Sequence, residues 1–271
     1  MSAQHWKENK EFLAQLASRP RFGLFSDLDG TLSPIAATPE AARITPKNRE
    51  MLAELNKQLP LVAVISGRQA NDLVNLVRLD DLTYLGNHGL ERWVDGSGEV
   101  IPEAKKYLGA LSEVKPLLRV ADEPGVIFED KGVVLTVHYR QVESPAAFYQ
   151  RHAGELALIA ESQGLMLLTG KMVFEVRPPV AMHKGIALQQ LISEYSLEAV
   201  LFLGDDISDL MAFVQARELR ETGLCDSWSA GVQSEDAPEG LAETADFLAD
   251  GVDDVEELLA WLLKARKASS T

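Results

Sequence analysis

Cysteine is almost missing from this chain: Cys225 is the only one among 271 residues. No internal disulfide is possible, and a lone Cys most simply serves as a small core hydrophobe. Positive charge is also scarce, with 26 Lys plus Arg against 41 Asp plus Glu and a formal net charge of −15. Nucleic acid or an anionic membrane surface would be repelled by such a field. An anionic small substrate would need local positive charge to overcome it. No apolar run approaches a membrane span, and residues 1–10 are polar and charged, without a secretory signal. A reducing, cytoplasmic setting is therefore expected. There is no Gly-x-x-x-x-Gly-Lys-Ser/Thr loop, which excludes a P-loop NTPase, and no Gly-x-Gly-x-x-Gly follows a strand, so a dinucleotide site has no support. Internal repeats and low-complexity linkers are absent as well.

What is present is an ordinary globular composition, 46% hydrophobic and 25% charged, in a chain long enough for one large domain or two modest ones. The apolar run of residues 22–27 reads as a buried strand ending in Asp27-Leu28-Asp29-Gly30-Thr31. A short amphipathic helix over 6–18 precedes it. Residues 31–45, with Pro34 and Pro39, read as a loop long enough to act as a flap over the strand end. Thr45-Pro46 is an N-cap followed by proline at the first helical position. Leu61 to Ile65 forms a second buried strand ending in Ser66-Gly67-Arg68, and a helix carrying Leu73 and Val77 follows. Thr83 to Gly86 is a third, leading into Asn87-His88-Gly89-Leu90-Glu91. Strands alternating with helices indicate an α/β fold with a doubly wound parallel sheet.

The pattern changes after about residue 105. Residues 103–119 look helical. Residues 126–129 and 133–139 read as strands around an Asp130-Lys131-Gly132 hairpin signal, Ser144-Pro145 caps a helix ending at Gly164, and 166–168 and 172–177 are two more strands. This is an inserted α+β domain, placed at 106–182 within a core of 1–105 and 183–271. The core grammar then resumes. His183-Lys184-Gly185 opens a helix, Ala199 to Leu203 is a strong buried strand ending in Gly204-Asp205-Asp206-Ile207-Ser208-Asp209, and a helix follows. Strands near 228–232 and 246–248 and a last helix over 253–266 complete the core.

In a parallel sheet the carboxyl ends of the strands share one edge, so Asp27, Asp29, Ser66, Asp205, Asp206 and Asp209 can converge from distant parts of the chain. Two sets of acids there make a hard, oxygen-only cation site, which suits Mg²⁺ and leaves waters for a substrate phosphate. Thr31, Ser66, backbone N–H groups and Lys184 would supply donors and positive charge to a phosphoryl group. The combination implies phosphoryl transfer. Asp27 fits a nucleophile that forms an aspartyl-phosphate. Asp29 fits an acid that protonates the leaving alkoxide and then a base that deprotonates water. Asp205 fits the main remaining metal ligand, with Asp206 and Asp209 ligating directly or through water; Ser208 or Asp209 could instead simply cap the following helix.

At these residues the chain resembles the haloacid dehalogenase superfamily. Asp27-Leu28-Asp29-Gly30-Thr31, Ser66, Lys184 and Gly204-Asp205-Asp206 with Asp209 match its four motifs in order, and the insert looks like its C2-type cap. The chain is more similar still to trehalose-6-phosphate phosphatases. The resemblance lies in Val64 to Arg68, Gly86 to Glu91, Glu129-Asp130-Lys131, Val137 to Arg140 and Phe174 to Pro178. It covers about residues 20–265. Leu210, where that family usually has a second acid, and Ser208, where it usually has Thr, depart from the pattern. The resemblance implies Mg²⁺-dependent hydrolysis of trehalose 6-phosphate to trehalose and phosphate. It adds Gly67 to the phosphate site, and Arg68, Asn87, His88 and Gly89 to the substrate site. Glu129, Lys131, His138, Arg140 and Glu175 of the insert offer a sugar its donors and acceptors, although alternating polar residues on a half-exposed sheet are just as often its solvent face. On this reading the cap opens to admit a sugar phosphate and closes to exclude water, and the chain acts as a monomer or small homo-oligomer.

Other readings share parts of this pattern. A phosphatase for sucrose phosphate or mannosylphosphoglycerate would keep the core motifs, and the cap segments argue against it. A phosphomutase would return the phosphate to a hydroxyl, and free phosphate release separates the two. A non-catalytic regulator fits poorly with an intact Asp27 and Asp29. A receiver-type signalling domain fits poorly with the insert.

Overall fold

A computed structural model describes residues 3–269 except 37, 39, 40 and 171. Phe22–Ser26 lies near the middle of a nine-stranded sheet. The order is Gln4–His5, Phe247–Ala249, Asp226–Val232, Ala199–Gly204, Phe22–Ser26, Leu61–Ile65, Thr83–Gly86, Glu91–Val94 and Ser97–Val100. The first seven run parallel. A strand flanked on both sides and covered on both faces has no polar position to offer, which is why Phe22–Ser26, Leu61–Ile65 and Ala199–Gly204 are buried throughout. On one face Phe22, Leu24, Val62, Val64, Leu201 and Leu203 join Leu52, Leu55, Leu258 and Leu262 of the helices Pro46–Asn56 and Gly251–Ser269 in one apolar core. On the other, Phe202 meets Phe213 of the helix Ile207–Glu221 with ring centroids 5.9 Å apart. The sheet is thus doubly wound, as the alternation of strands and helices predicts.

The helix starts follow local chemistry. Thr45 Oγ1 accepts the N–H of Asn48 at 3.1 Å, with Pro46 next to it where no N–H is required. By contrast Ser144 precedes Pro145–Ser162 without a side-chain cap bond, so the proline alone sets that start.

The sheet is not wholly parallel. Glu91–Val94 runs antiparallel to Thr83–Gly86 and is followed by Ser97–Val100, across a turn in which Asp95 and Gly96 have φ of 48° and 86°. Asp-Gly is the pair that tolerates such a tight hairpin. Likewise, 103–119 is not one helix. It breaks into Pro102–Lys105, Leu108–Val114 and two short 3₁₀ turns, Lys115–Leu117 and Arg119–Asp122. Pro116 has no N–H to continue an α-helical ladder, and helical backbone is left at Leu118, with φ of −77° and ψ of 61°. Pro39, part of the expected flap, lies outside the described residues.

The chain divides into two compact units, Met1–Gly98 with Met182–Thr271, and Glu99–Ala181. The second unit carries an antiparallel sheet in the order Ile127–Asp130, Leu135–His138, Val173–Arg177, Met166–Gly170. Leu135, Val137, Phe174 and Val176 form one face, packed with Phe148, Leu156 and Ala160 of the helix Pro145–Ser162. Period-two alternation therefore puts Glu129, Thr136, His138 and Glu175 on the opposite face.

Candidate active site

The ladder between Phe22–Ser26 and Ala199–Gly204 extends one residue past the strand, with Asp27 N–H donating to Leu203 C=O at 2.9 Å. The chain then turns back at once: Leu32 and Ser33 both donate to Leu28 C=O at 2.9 Å, and Gly30 N–H donates to Ser33 C=O at 2.7 Å. Gly30 has φ of +80°, and a Cβ there would stand 2.0 Å from Asp205 Oδ2. Only glycine serves both the turn and this close approach. The turn delivers Thr31, whose hydroxyl donates to Asp205 Oδ1 at 2.8 Å in a buried contact.

The end of Ala199–Gly204 supplies the facing acids. Asp206 caps the helix Ile207–Glu221, its Oδ1 accepting Ser208 N–H at 2.8 Å and Asp209 N–H at 3.1 Å. Asp209 returns a bond through Oδ2 to the N–H groups of Asp205 and Asp206, both at 3.0 Å. The cap is thus Asp206 rather than Ser208, with Asp209 closing the capping box from the third helical position. Lys184 enters from the first turn of Lys184–Glu194. Its Nζ lies 2.7 Å from Asp209 Oδ1, 3.1 Å from Asp27 Oδ2 and 3.7 Å from Asp206 Oδ1, with its side chain 1% exposed. An ammonium so buried persists only because these acids surround it. Burial works against its charge, yet Asp209 and Asp27 hold its pKa well above the ordinary lysine value.

Negative charge remains in surplus. Burial, which Lys184 offsets only in part, pushes Asp27 up to about 6. Burial and the charge on Asp27 push Asp205 up to about 8. Burial also raises Asp209, and only Asp206 is held below the usual range, by Lys184 and Ser208 working against its burial. One carboxylate oxygen each from Asp27, Asp205 and Asp209 lies within 4.8 Å of the others, all three residues buried, the one such acid cluster among the described residues. Asp27 Oδ1 is buried with no hydrogen-bond partner. A buried, orphaned carboxylate oxygen among hard oxygen donors suits a small divalent cation such as Mg²⁺.

That surplus has a measurable consequence. Asp27 and Asp205 have folded-state values above the unfolded value of about 4. Their contribution to stability is complete below about pH 4 and is lost as pH rises through about 6 and then about 8. A cation binding the charged form reverses this, by about 2.7 kcal/mol at a hundred times its Kd. The Mg²⁺-induced rise in melting temperature, relative to EDTA, is therefore expected to grow between about pH 5.5 and 8.5. A rise that stays constant or shrinks would contradict the cluster as the cation site.

The remaining motif residues divide. Ser66 is buried; its N–H donates to Leu85 C=O at 3.0 Å and its C=O accepts His88 N–H at 2.9 Å. Gly67 sits against the His88 ring. Asn87, His88 and Gly89 have φ of 48°, 58° and 102°, three left-handed residues in succession. Asn87 is buried, and Glu91 accepts Ala70 N–H at 3.0 Å at the start of the helix Ala70–Val77. The carboxylate of Asp29 stands outside the three-acid cluster. It is gripped by Arg68, with Nε to Oδ2 at 2.5 Å and Nη2 to Oδ1 at 2.8 Å. Asp29, expected among the metal-site acids as well as in the acid-base role, and Arg68, expected at the sugar, thus form a bidentate pair. A guanidinium fork matches a carboxylate at two points, which fixes its orientation. The Ser66-Gly67-Arg68 motif was visible in the sequence, but its pairing with Asp29 across two strands had no local signal.

In the inserted unit, Glu129 stands opposite Thr136, which stands opposite Glu175. Glu129 Oε2 lies 3.3 Å from His138 Nε2 and 3.5 Å from Lys131 Nζ. Burial alone would raise Glu129, but these two neighbours hold it below the usual range. Arg140 is exposed beyond the end of its strand. Four of the five expected sugar ligands thus form one polar row, and Arg140 stands apart.

Comparison with known proteins places this arrangement. A family model described as trehalose-phosphatase matches residues 25–241. "Probable trehalose-phosphate phosphatase 2" of Oryza sativa subsp. japonica is 32% identical over 231 residues, covering 75% of this chain and 60% of that protein. An uncharacterized glycosyl hydrolase of Mycobacterium tuberculosis (strain CDC 1551 / Oshkosh) is 34% identical over 215 residues, covering 76% of this chain and 16% of that protein. The chain therefore spans only part of the length of these relatives. The solved C-terminal domain of C. albicans trehalose-6-phosphate phosphatase has the same fold, with a TM-score of 0.78 at 22% identity, covering 97% of this chain and 98% of that one.

Proposed function

The chain belongs to the trehalose-phosphatase family, and on that premise we propose that it hydrolyses trehalose 6-phosphate to trehalose and phosphate through an aspartyl-phosphate on Asp27. The observation that carries this reading is the orphaned Oδ1 of Asp27, a buried carboxylate oxygen beside Lys184 with nothing to bond. Asp27 attacks phosphorus, and the bond from phosphorus to the sugar oxygen breaks. Asp29 gives its proton to the departing alkoxide, so trehalose leaves neutral. Water then attacks the phosphorus of the aspartyl-phosphate while Asp29 takes its proton, and phosphate leaves with Asp27 restored. Lys184, Thr31 and the N–H groups of the turn after Asp27 neutralise and orient the phosphoryl oxygens. Asp27, Asp205 and Asp209 would hold Mg²⁺, directly or through water, and the bound cation lets an anionic nucleophile approach an anionic phosphate. A reducing cytosol suits the single buried thiol of Cys225.

The direct test is free phosphate release from trehalose 6-phosphate, sucrose 6-phosphate, mannosylphosphoglycerate and glucose 6-phosphate, with Mg²⁺ and with excess EDTA. Release from trehalose 6-phosphate alone, abolished by EDTA, is the expected result. Release mainly from another phosphosugar would keep the chemistry and overturn the substrate.

Specificity belongs, on this reading, to the polar row of the inserted unit. Glu175→Gln should raise KM for trehalose 6-phosphate on the order of 10-fold or more, since a buried sugar hydroxyl loses a charged acceptor. KM for p-nitrophenyl phosphate should move less than about 2-fold. Equal changes on both substrates would remove Glu175 from sugar recognition.

A further inference from the structure

Arg68 stands in an unusual place for a residue meant to touch sugar. Its guanidinium meets both oxygens of Asp29, with Arg68 17% and Asp29 33% exposed. The backbone beneath it is fixed with equal care. Asn87 N–H donates to Arg68 C=O at 2.7 Å and His88 N–H donates to Ser66 C=O at 2.9 Å. Both donors sit in left-handed backbone, which L residues adopt only when their surroundings impose it. Immediately before them, Gly86 runs so close to the Arg68 turn that a Cβ would stand 2.8 Å from Arg68 C=O and 2.3 Å from Ala70 N. Two left-handed residues and a closely packed glycine thus fix the backbone of Arg68, and its guanidinium grips Asp29.

We propose that Arg68 is a positioning residue for Asp29, acting through its two-point grip rather than by binding the sugar. The inference rests on the reading of Asp29 as the acid and base above. Two carboxylates spaced two residues apart, facing a cation site, could both turn into it. The fork holds the second one out of the three-acid cluster, in a fixed orientation. Each carboxylate oxygen keeps a second lone pair, so the grip orients Asp29 without closing it to proton exchange. Asp29 enters the first step protonated, gives that proton to the sugar alkoxide and takes a replacement from the attacking water, and Arg68, charged throughout, gains and loses nothing.

The test uses Arg68→Ala, Arg68→Lys, Asp29→Asn and the double variant, with trehalose 6-phosphate and p-nitrophenyl phosphate. A nitrophenolate leaving group needs no proton, so the first-turnover burst isolates phosphorylation without acid catalysis. Arg68→Ala is expected to lower kcat on trehalose 6-phosphate roughly 10- to 100-fold, as a misplaced catalytic group does, with KM changed less than about 3-fold. The nitrophenol burst rate should change less than about 3-fold. The double variant should be no slower than Asp29→Asn, because the two residues act as one. Arg68→Lys, which retains charge but not the fork, should resemble Arg68→Ala, and added guanidinium should restore part of the Arg68→Ala rate. A raised KM with kcat intact, or losses that multiply in the double variant, would overturn the proposal. If Asp29→Asn itself keeps full activity on trehalose 6-phosphate, the acid-base reading fails instead, and the two failures are told apart.

Discussion

Asp27→Asn should slow phosphate release roughly 10⁴-fold or more, because an amide cannot attack phosphorus and no neighbouring group can take its place. Asp29 is held by Arg68 and Asp209 by Lys184 and two backbone N–H groups. Asp205 accepts the Thr31 hydroxyl. The fold should not suffer in parallel. Asp27 is 4% exposed, and its burial already favours the uncharged form. The near-isosteric amide removes one negative charge from an overcrowded cluster, so in EDTA near pH 8 the variant should melt no lower than the parent. Activity lost with stability kept is the signature of a nucleophile. Residual release above about 1% of the parent rate would transfer the role elsewhere.

Lys184→Met should do the opposite to stability. Methionine fills much the same volume, but it leaves Asp27, Asp206 and Asp209 facing one another without their shared cation. Removing one partner from a buried ionic cluster costs about 3–5 kcal/mol, a fall in Tm of roughly 6–20 °C for a chain of this size. The loss should be larger at pH 8 than at pH 5, where the orphaned acids can take up protons and relieve their repulsion. Asp209→Asn introduced alongside should recover part of it, by removing the acid that lies nearest the lysine. A variant melting within about 2 °C of the parent in EDTA would mean that Lys184 does not neutralise this cluster.

Much of this was legible in the residues. Asp27, Ser66 and Asp205 each follow an apolar run, and the parallel sheet made their convergence a matter of topology. Thr45-Pro46 announced its helix, and the alternation in 133–139 and 172–177 announced the insert's sheet. What stayed hidden depended on contacts between segments remote in sequence. Nothing near Asp29 says that its carboxylate will turn to Arg68 rather than to Asp205, because the choice is made by a guanidinium delivered from the next strand. The hairpin of Glu91–Val94 and Ser97–Val100 did have a local signal, Asp95-Gly96, masked by a strand of Glu, Arg and Trp that lacks clean alternation. The stretch 103–119 is helical as expected, but in short pieces whose breaks had no clear local mark beyond Pro116.

Phe22–Ser26 leaves the ribosome before both of its neighbours, and these follow at very different times. Leu61–Ile65 comes soon after. Ala199–Gly204, whose Leu201 pairs with Leu24, comes only once the whole of Glu99–Ala181 has been made. At about 5–20 residues per second the nascent chain spends on the order of ten seconds or longer with that edge of its future central strand open. During this interval the insert, all of whose strand partners lie within its own segment, has everything it requires to complete its own sheet. The interruption between the two halves of the core therefore sets an order of assembly on the growing chain: the insert can finish first, and the edge that requires Asp27 and Asp205 side by side must wait for it. A chain stalled before residue 199 would carry a folded insert on a core with no active site, and its exposed apolar strand would be a natural place for a chaperone to bind.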